Sequence, residues 1–417
     1  MAARSNLQRV RLWEEPNGSF GIDGTGTLGN FLDLRSMESA FTPDRVSLPD
    51  QRARAYRVDQ AKDQHGFKNT TYDWSGHLIS HGNTLNAAAS ASPTIDGLGQ
   101  LLKTTMGGRT VSNGSLVVGA PSPTTSTFSV TAAQGSRFVP GQIIWVQNTT
   151  LGTYHPAKVK TVATDALTLA CALSFTPATG AIVLNSETFY ETDKPNTSLQ
   201  MIVEGENRNG DVYVLLGCHG DLTLTLTHGQ LAMAASKMQV AQWLPSASAA
   251  GTPASAAALL HSLTGSLPVP FTASSCVFAP SGASTRVAPS IDEIGVSIAV
   301  TYGLVNSLNG VEGVAERVRV SSEVTCTISL PVNDTTPDEY VTARDAGTTY
   351  QLLVNLNSET PGKLLALEMG TVQIRSVKRS MKRGLRYQEL TCLALADDNA
   401  TDKTTDQRRS PIRLARG

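Results

Sequence analysis

Few residues in this 417-residue sequence have the types and spacing that could do chemistry. Gly24-Thr-Gly-Thr-Leu-Gly29 matches GxGxxG, the turn that cradles a dinucleotide pyrophosphate. That turn must follow a buried strand and open a helix. Here Asn17-Gly-Ser-Phe-Gly-Ile22 before it is itself turn-like and no βαβ pattern follows, so the context supports a glycine-rich hairpin or arm. The histidines, His65, His77, His81, His155, His219, His228 and His261, would have to converge with acids to hold a metal or move a proton. Only Cys218-His219-Gly220-Asp221, followed by His228, is dense, and it lacks the second cysteine that zinc spacing requires. It lies at the end of one predicted strand and around the next, which reads as a β-hairpin with turn and core roles for these side chains. GxSxG, HExxH and GxxxxGK[ST] are all missing, so the sequence gives no reason to propose an enzyme, a cofactor or a metal site. The five cysteines are odd in number and free of CxxC spacing, which predicts reduced, mostly buried thiols.

The strongest charge cluster is Arg375, Lys378, Arg379, Lys382, Arg383 and Arg386, between two strand patterns at 372–377 and 385–395. Such a hairpin tip could contact phosphates, but no aromatics are interleaved to stack on bases. A contact between subunits, or a solvated face, fits it better, and these six residues are the candidate inter-subunit contacts.

The elements that must position these residues are strands. Apolar and polar residues alternate with a period of two, most cleanly in Leu222-Thr-Leu-Thr-Leu-Thr227, and again at 212–216, 294–300, 324–330, 351–356 and 372–377. Strands with one apolar and one Thr/Ser face belong to antiparallel sheets that cover a core on one side only. The one clear helix pattern runs from about Ser92 to Met106, with an apolar stripe of Ile95, Leu98, Leu101, Leu102 and Met106 and a stop at Gly107-Gly108. From 114 to 186 short strands and Gly, Asn and Pro turns, with few charges beyond Arg137, Lys158, Lys160 and Asp165, predict a small inserted all-β domain. It would split a larger unit into 1–113 and 187–400. Pro245 to Pro270 is Ala/Ser-rich and reads as a surface loop or arm, and 401–417 as a mobile basic tail.

Charged residues are 17% of the chain, and the formal net charge is -1, so the surface as a whole has no bias toward polyanions. No stretch approaches the ~20 apolar residues of a membrane helix, and Met1 to Gln8 lacks the apolar core of a secretory signal, so a soluble protein made in the cytosol, without membrane insertion, is expected.

Taken in order, four stretches resemble the tail tube proteins of long-tailed bacteriophages: Arg9 to Leu12 through Glu15 and Ser19-Phe-Gly21; Trp74 to Leu78 leading to the helix end at Gly108; Gly205-Glu-Asn207 through Val212 to Cys218 and Leu222 to Leu226; and the closing hairpin from Leu364 to Leu395. The resemblance implies a mainly β fold, a β-sandwich contributing to a ring-wide β-barrel with one flanking helix, plus the inserted domain. It implies self-assembly into stacked homo-hexameric rings, a conduit for passing double-stranded DNA, in the virion tail after assembly in the bacterial host cytoplasm. Partners would be copies of itself and other tail proteins, the tape measure, distal tail and terminator proteins. The insertion and the Ala/Ser tract add bulk to a minimal subunit; an insertion on the outer surface would decorate the tube or bind host glycans weakly, and the tail is expected to be non-contractile. Two alternatives stand beside this one: a distal tail or terminator ring, and a glycan-binding or depolymerising β protein. The second would call for more aromatics than the 6% present.

Overall fold

The computed structural model describes residues 9–15, 32–34, 38–42, 45–48, 64–68, 70–80, 95–111, 115–120, 122–192, 197–204, 212–245, 270–271, 275–281, 289–311, 314–333, 336–357, 361–382, 384–397 and 406–417. These residues are mainly β, in large antiparallel sheets of which one curls into a half barrel, with three helices. The GxGxxG stretch, Ser19 to Gly21, Gly205 to Asn207, His81, His261 and most of the Ala/Ser tract lie outside the described residues.

Period-two alternation becomes one-sided burial. Leu222–Thr227 buries Leu222, Leu224 and Leu226 and exposes Thr223 and Thr225. Across the curled sheet run, in order, Thr70–His77, Met233–Val240, Leu222–Thr227, Glu293–Val311, Val314–Pro331, Leu385–Leu395 and Leu365–Lys382. A second run, continuous with it, is Leu32–Leu34, Arg9–Glu14, Leu199–Glu204, Val212–Gly220 and Gln242–Pro245. Their apolar faces share one core, with Val10, Leu12, Met201 and Leu215 from one and Leu224, Val296, Ile328 and Leu390 from the other.

Val212–Gly220 and Leu222–Thr227 do not form the expected hairpin with each other. They are successive parts of one bent course of the chain, flanked on one side by the returning strands: Val212–Gly220 pairs with Gln242–Pro245 and the end of Met233–Val240, and Leu222–Thr227 pairs with Met233–Val240. Gly217, at φ 62, and Gly220 permit the bend. A Cβ on Gly220 would lie 2.9 Å from the Lys237 carbonyl oxygen. The chain therefore turns the corner from one run to the other at the Cys218-His219-Gly220-Asp221 cluster.

The expected helix is shorter at its start. It spans Gly97–Met106, because the Asp96 carboxylate accepts the Gly99 N–H at 2.7 Å and fixes the first turn. Gly107, at φ 96, ends it as expected. Lys103 donates to Glu14 at 2.6 and 2.8 Å, and Gln100 and Thr197 donate to the same carboxylate. The helix is not alone among the described residues: Glu339–Asp345 and Asp406–Arg409 are short helices that the period-two reading missed.

Residues 115–184 form a six-stranded sheet of their own, in the order Ser115–Val117, Ile182–Leu184, Ile143–Asn148, Thr153–Ala163, Ala166–Leu169 and Thr127–Ser129. A bridge between Val118 and Val130 joins its two ends, so the unit closes on itself around Phe128, Ile144, Val159 and Leu167. Its other side is also buried. Ile143 and Trp145 pack with Leu364, Ala366 and Ala415 of the main body, which explains the unbroken apolar run Ile143-Ile-Trp-Val146. Lys158, one of its few charges, reaches out to Glu368 at 2.8 Å and Asp397 at 2.5 Å.

The last described segment is not a mobile tail. Arg413–Arg416 is a strand inserted between Glu187–Glu191 and the first part of Leu365–Lys382. Its two arginines are fully buried: Arg413 meets Glu368 and Asp397, and Arg416 meets Glu187 and Asp96. A basic composition reads as solvated only while the matching acids, more than 200 residues away for Glu187, are out of view.

Replacing Arg416 with Met would leave the buried Glu187 and its neighbour Asp96 with only Arg109 at 2.7 Å from Glu187 to balance them, and is expected to cost about 3–5 kcal/mol in chemical denaturation, whereas Arg409→Ala, at an exposed position, should stay within about 0.5 kcal/mol. Burial alone would raise the Glu14 pKa, but the bonds from Lys103, Thr197 and Gln100 outweigh it and hold it below the ordinary 4.5. Glu14 therefore stabilises the fold fully above that value and loses the contribution as pH falls through its lowered pKa. The stability difference between wild type and Glu14→Gln should be largest near neutrality and vanish on acidification, as measured by denaturation across pH.

Candidate functional site

The basic cluster sits where expected, on the hairpin of Leu365–Lys382 and Leu385–Leu395, but its charges do not form one patch. Arg383 lies outside the described residues. The ribbon alternates, so side chains at 377, 379 and 381 fall on one face and those at 376, 378, 380 and 382 on the other. Arg379 is paired with Asp338. Lys382 donates to the Ser329 hydroxyl at 3.0 Å, lies 3.6 Å from Glu293 and covers the Tyr387 ring. Arg375, Lys378 and Arg386 carry the charge that is left, and Met381 and Leu385 beside the turn are 68% and 60% exposed.

Arg375 is set apart by a register shift between Ile374 and Ser376 that turns it out of the alternation. It lines a cleft of about 450 Å³ together with Arg409, Glu323, Leu393, Leu395 and Pro411. The floor of the cleft is an interrupted part of the sheet: Val314–Pro331 is flanked by Leu385–Leu395 only over 325–331, so its edge at 314–324 is open among the described residues. Glu191 at the rim is already engaged by Arg319 and Ser322. Sequence reading missed this cleft because its lining comes from five segments and no motif marks it.

The dense cysteine-histidine cluster is built into the corner. His219 is 2% exposed and its ring centroid lies 4.9 Å from that of Tyr302, while Cys218 belongs to the main core. Burial, with the Glu15 charge nearby, pushes the Cys218 thiol well above its ordinary pKa, the opposite of what a nucleophile needs. His228 faces Phe271 and the Asp221 carboxylate accepts the Val300 N–H at 3.0 Å, so these groups serve the turn.

The outward face of the curled sheet carries hydroxyls in register. Thr225 lies opposite Gly295, Gly295 opposite Thr327, Thr327 opposite Thr391 and Thr391 opposite Ser376, one row across five strands. A parallel row runs through Ser75, Ala235, Thr223, Ser297 and Thr325. Beyond the sheet the hairpin Glu293–Val311 and Val314–Pro331 continues as a two-stranded arm, since no other strand flanks it past Ile298 and Val324 among the described residues.

Arg379→Ala removes an exposed ion pair, and Arg375→Ser, Lys378→Ser and Arg386→Ser combined remove charges that have no partner among the described residues. Both variants are expected to shift the unfolding free energy by less than about 1 kcal/mol in urea melts, marking the cluster as dispensable to the fold. Compared with known proteins, the chain matches no family model, and no curated protein is significantly similar to it.

Proposed function

We propose that this chain is a structural subunit that assembles with copies of itself into stacked hexameric rings, forming a tube of the kind found in long-tailed phages, through which double-stranded DNA passes. The observation that carries this reading is the two-faced curled sheet. Its inner face is closed over the core, while its outer face presents Thr223, Thr225, Thr327 and Thr391 with Glu293 and Glu389 balanced against Lys378 and Lys382. A bore lined this way is wetted but offers DNA no dense array of cations, which would otherwise grip it through many phosphate contacts. Open edges are the second support. Exposed strands such as the arm invite pairing, and a ring of copies gives them partners. The sandwich of the tail-tube fold, contributing a share of a ring-wide barrel, is the arrangement we assign to this sheet.

Negative-stain images of the purified protein test the reading: hollow tubes or stacked rings are expected. Single rings that never stack would favour a terminator or distal tail component, and a strictly monomeric protein at high concentration would sink the proposal. If the hydroxyl rows line the bore, Thr225→Lys combined with Thr327→Lys should make tubes retain double-stranded DNA at low salt and release it as salt rises, while wild-type tubes retain little.

A further inference from the structure

The arm is unfinished as it stands in one copy. On its outward face Val305 is opposite Glu316, and Val320 lies over Gly303, whose Cβ position would be 2.9 Å from the Val320 methyl. Val305 and Val320 are 44% and 67% exposed, and Glu316 is exposed with no partner among the described residues. This face is a small apolar patch with one carboxylate at its margin. The cleft at the base of the arm has the matching chemistry: half-buried Leu393, Leu395 and Pro411, an open strand edge, and the guanidiniums of Arg375 and Arg409, neither with a partner among the described residues; of its two carboxylates Glu191 is held by Arg319 and Ser322, so the two guanidiniums outnumber the remaining Glu323.

Glu316 cannot reach the guanidiniums of the cleft in its own copy. Ser322 lines the cleft and Glu316 lies six residues farther along the same extended strand, about 20 Å away at ~3.3 Å per residue. We infer that the arm of one copy docks in the cleft of a second copy, with Glu316 between Arg375 and Arg409 and Val305 and Val320 against the apolar wall. The contact joins two different patches, so it is head-to-tail, and each copy offers both halves; such contacts close rings or continue as filaments. Arg317 is the least satisfied cation of the arm among the described residues. Its Nε and Nη1 are buried without a partner, and its Nη2 makes only a 3.4 Å bond to the Val240 carbonyl, whereas Arg319 two residues on reaches Glu191 at 2.5 Å and two carbonyls.

This inference rests on the self-assembly reading, and charge reversal separates the two. Glu316→Arg alone, and Arg375→Glu with Arg409→Glu, each place like charges at the contact and are expected to raise the concentration needed for assembly at least about tenfold in sedimentation velocity. All three positions are solvent-facing, so each variant should melt within about 2 °C of wild type. Mixing the two variants at equal concentration should restore assembly, because each arm then meets a cleft of opposite charge, and the triple variant should assemble alone. Wild type that assembles while the reversals change nothing, or reversals that abolish assembly without recovery in the mixture and in the triple variant, would overturn the pairing. Wild type that stays monomeric would overturn the self-assembly reading, and the docking with it.

Discussion

Three buried carboxylates and a half-buried fourth in the body of this protein are each met by a cation, and three of the four cations come from the parts of the chain most easily mistaken for appendages. Glu187 and Asp96 are met by Arg416 and Arg109, and Glu368 and Asp397 by Arg413 and Lys158. Each set is neutral in itself. An unpaired carboxylate at these sites would lose several kcal/mol of solvation with nothing in return. The small closed unit at 115–184 is thereby clamped to the main sheet, and the strand Arg413–Arg416 becomes the link that joins Glu187–Glu191 and Gly107–Val111 to Leu365–Lys382. The helix Gly97–Met106 belongs to the same arrangement, since Asp96 both caps it and holds Arg416.

The strands were legible in the sequence because each reports on its own two faces. Alternation at 222–227 states which side is dry without reference to any other residue, and so does the pattern at 324–330. The closed unit was legible for a similar reason: its core comes from a contiguous stretch with its own turns. Pairing was harder. Nothing local distinguishes a hairpin between 212–220 and 222–227 from a single course bent at Gly217 and Gly220, because the deciding partner is the strand that returns after residue 232. Arg413 and Arg416 were misread because a charge states its need for a partner but not where the partner is.

The candidate surface was legible as composition and not as geometry. Six basic residues within twelve positions mark a hairpin, yet alternation sends them to opposite faces, and Asp338 and Glu293 take up two of them. Arg375 matters for the cleft only because a register shift turns it outward, a backbone irregularity that its side-chain type does not encode. Arg409 reaches the same cleft from beyond the body of the sheet, held by the bond from the Asp397 N–H to its carbonyl.

Unmet groups are distributed unevenly, and the unevenness bears on how the molecule is used. Around the buried ion pairs, cations and carboxylates balance, and the apolar side chains are enclosed. At the arm and at the cleft beside it, among the described residues, Val305, Val320, Glu316, Arg375 and Arg409 face solvent without partners and Arg317 is desolvated without a carboxylate. An open strand edge normally needs charges to keep it from pairing with any other edge it meets. Here the charge beside that edge is selective: Glu316 would be repelled by an acidic neighbour and attracted by the guanidiniums of the cleft. In the docking we propose, the same residues that would keep a lone copy from indiscriminate pairing would favour one particular edge, that of another copy in a head-to-tail orientation, and the body behind the arm would let the direction of that contact be repeated from copy to copy.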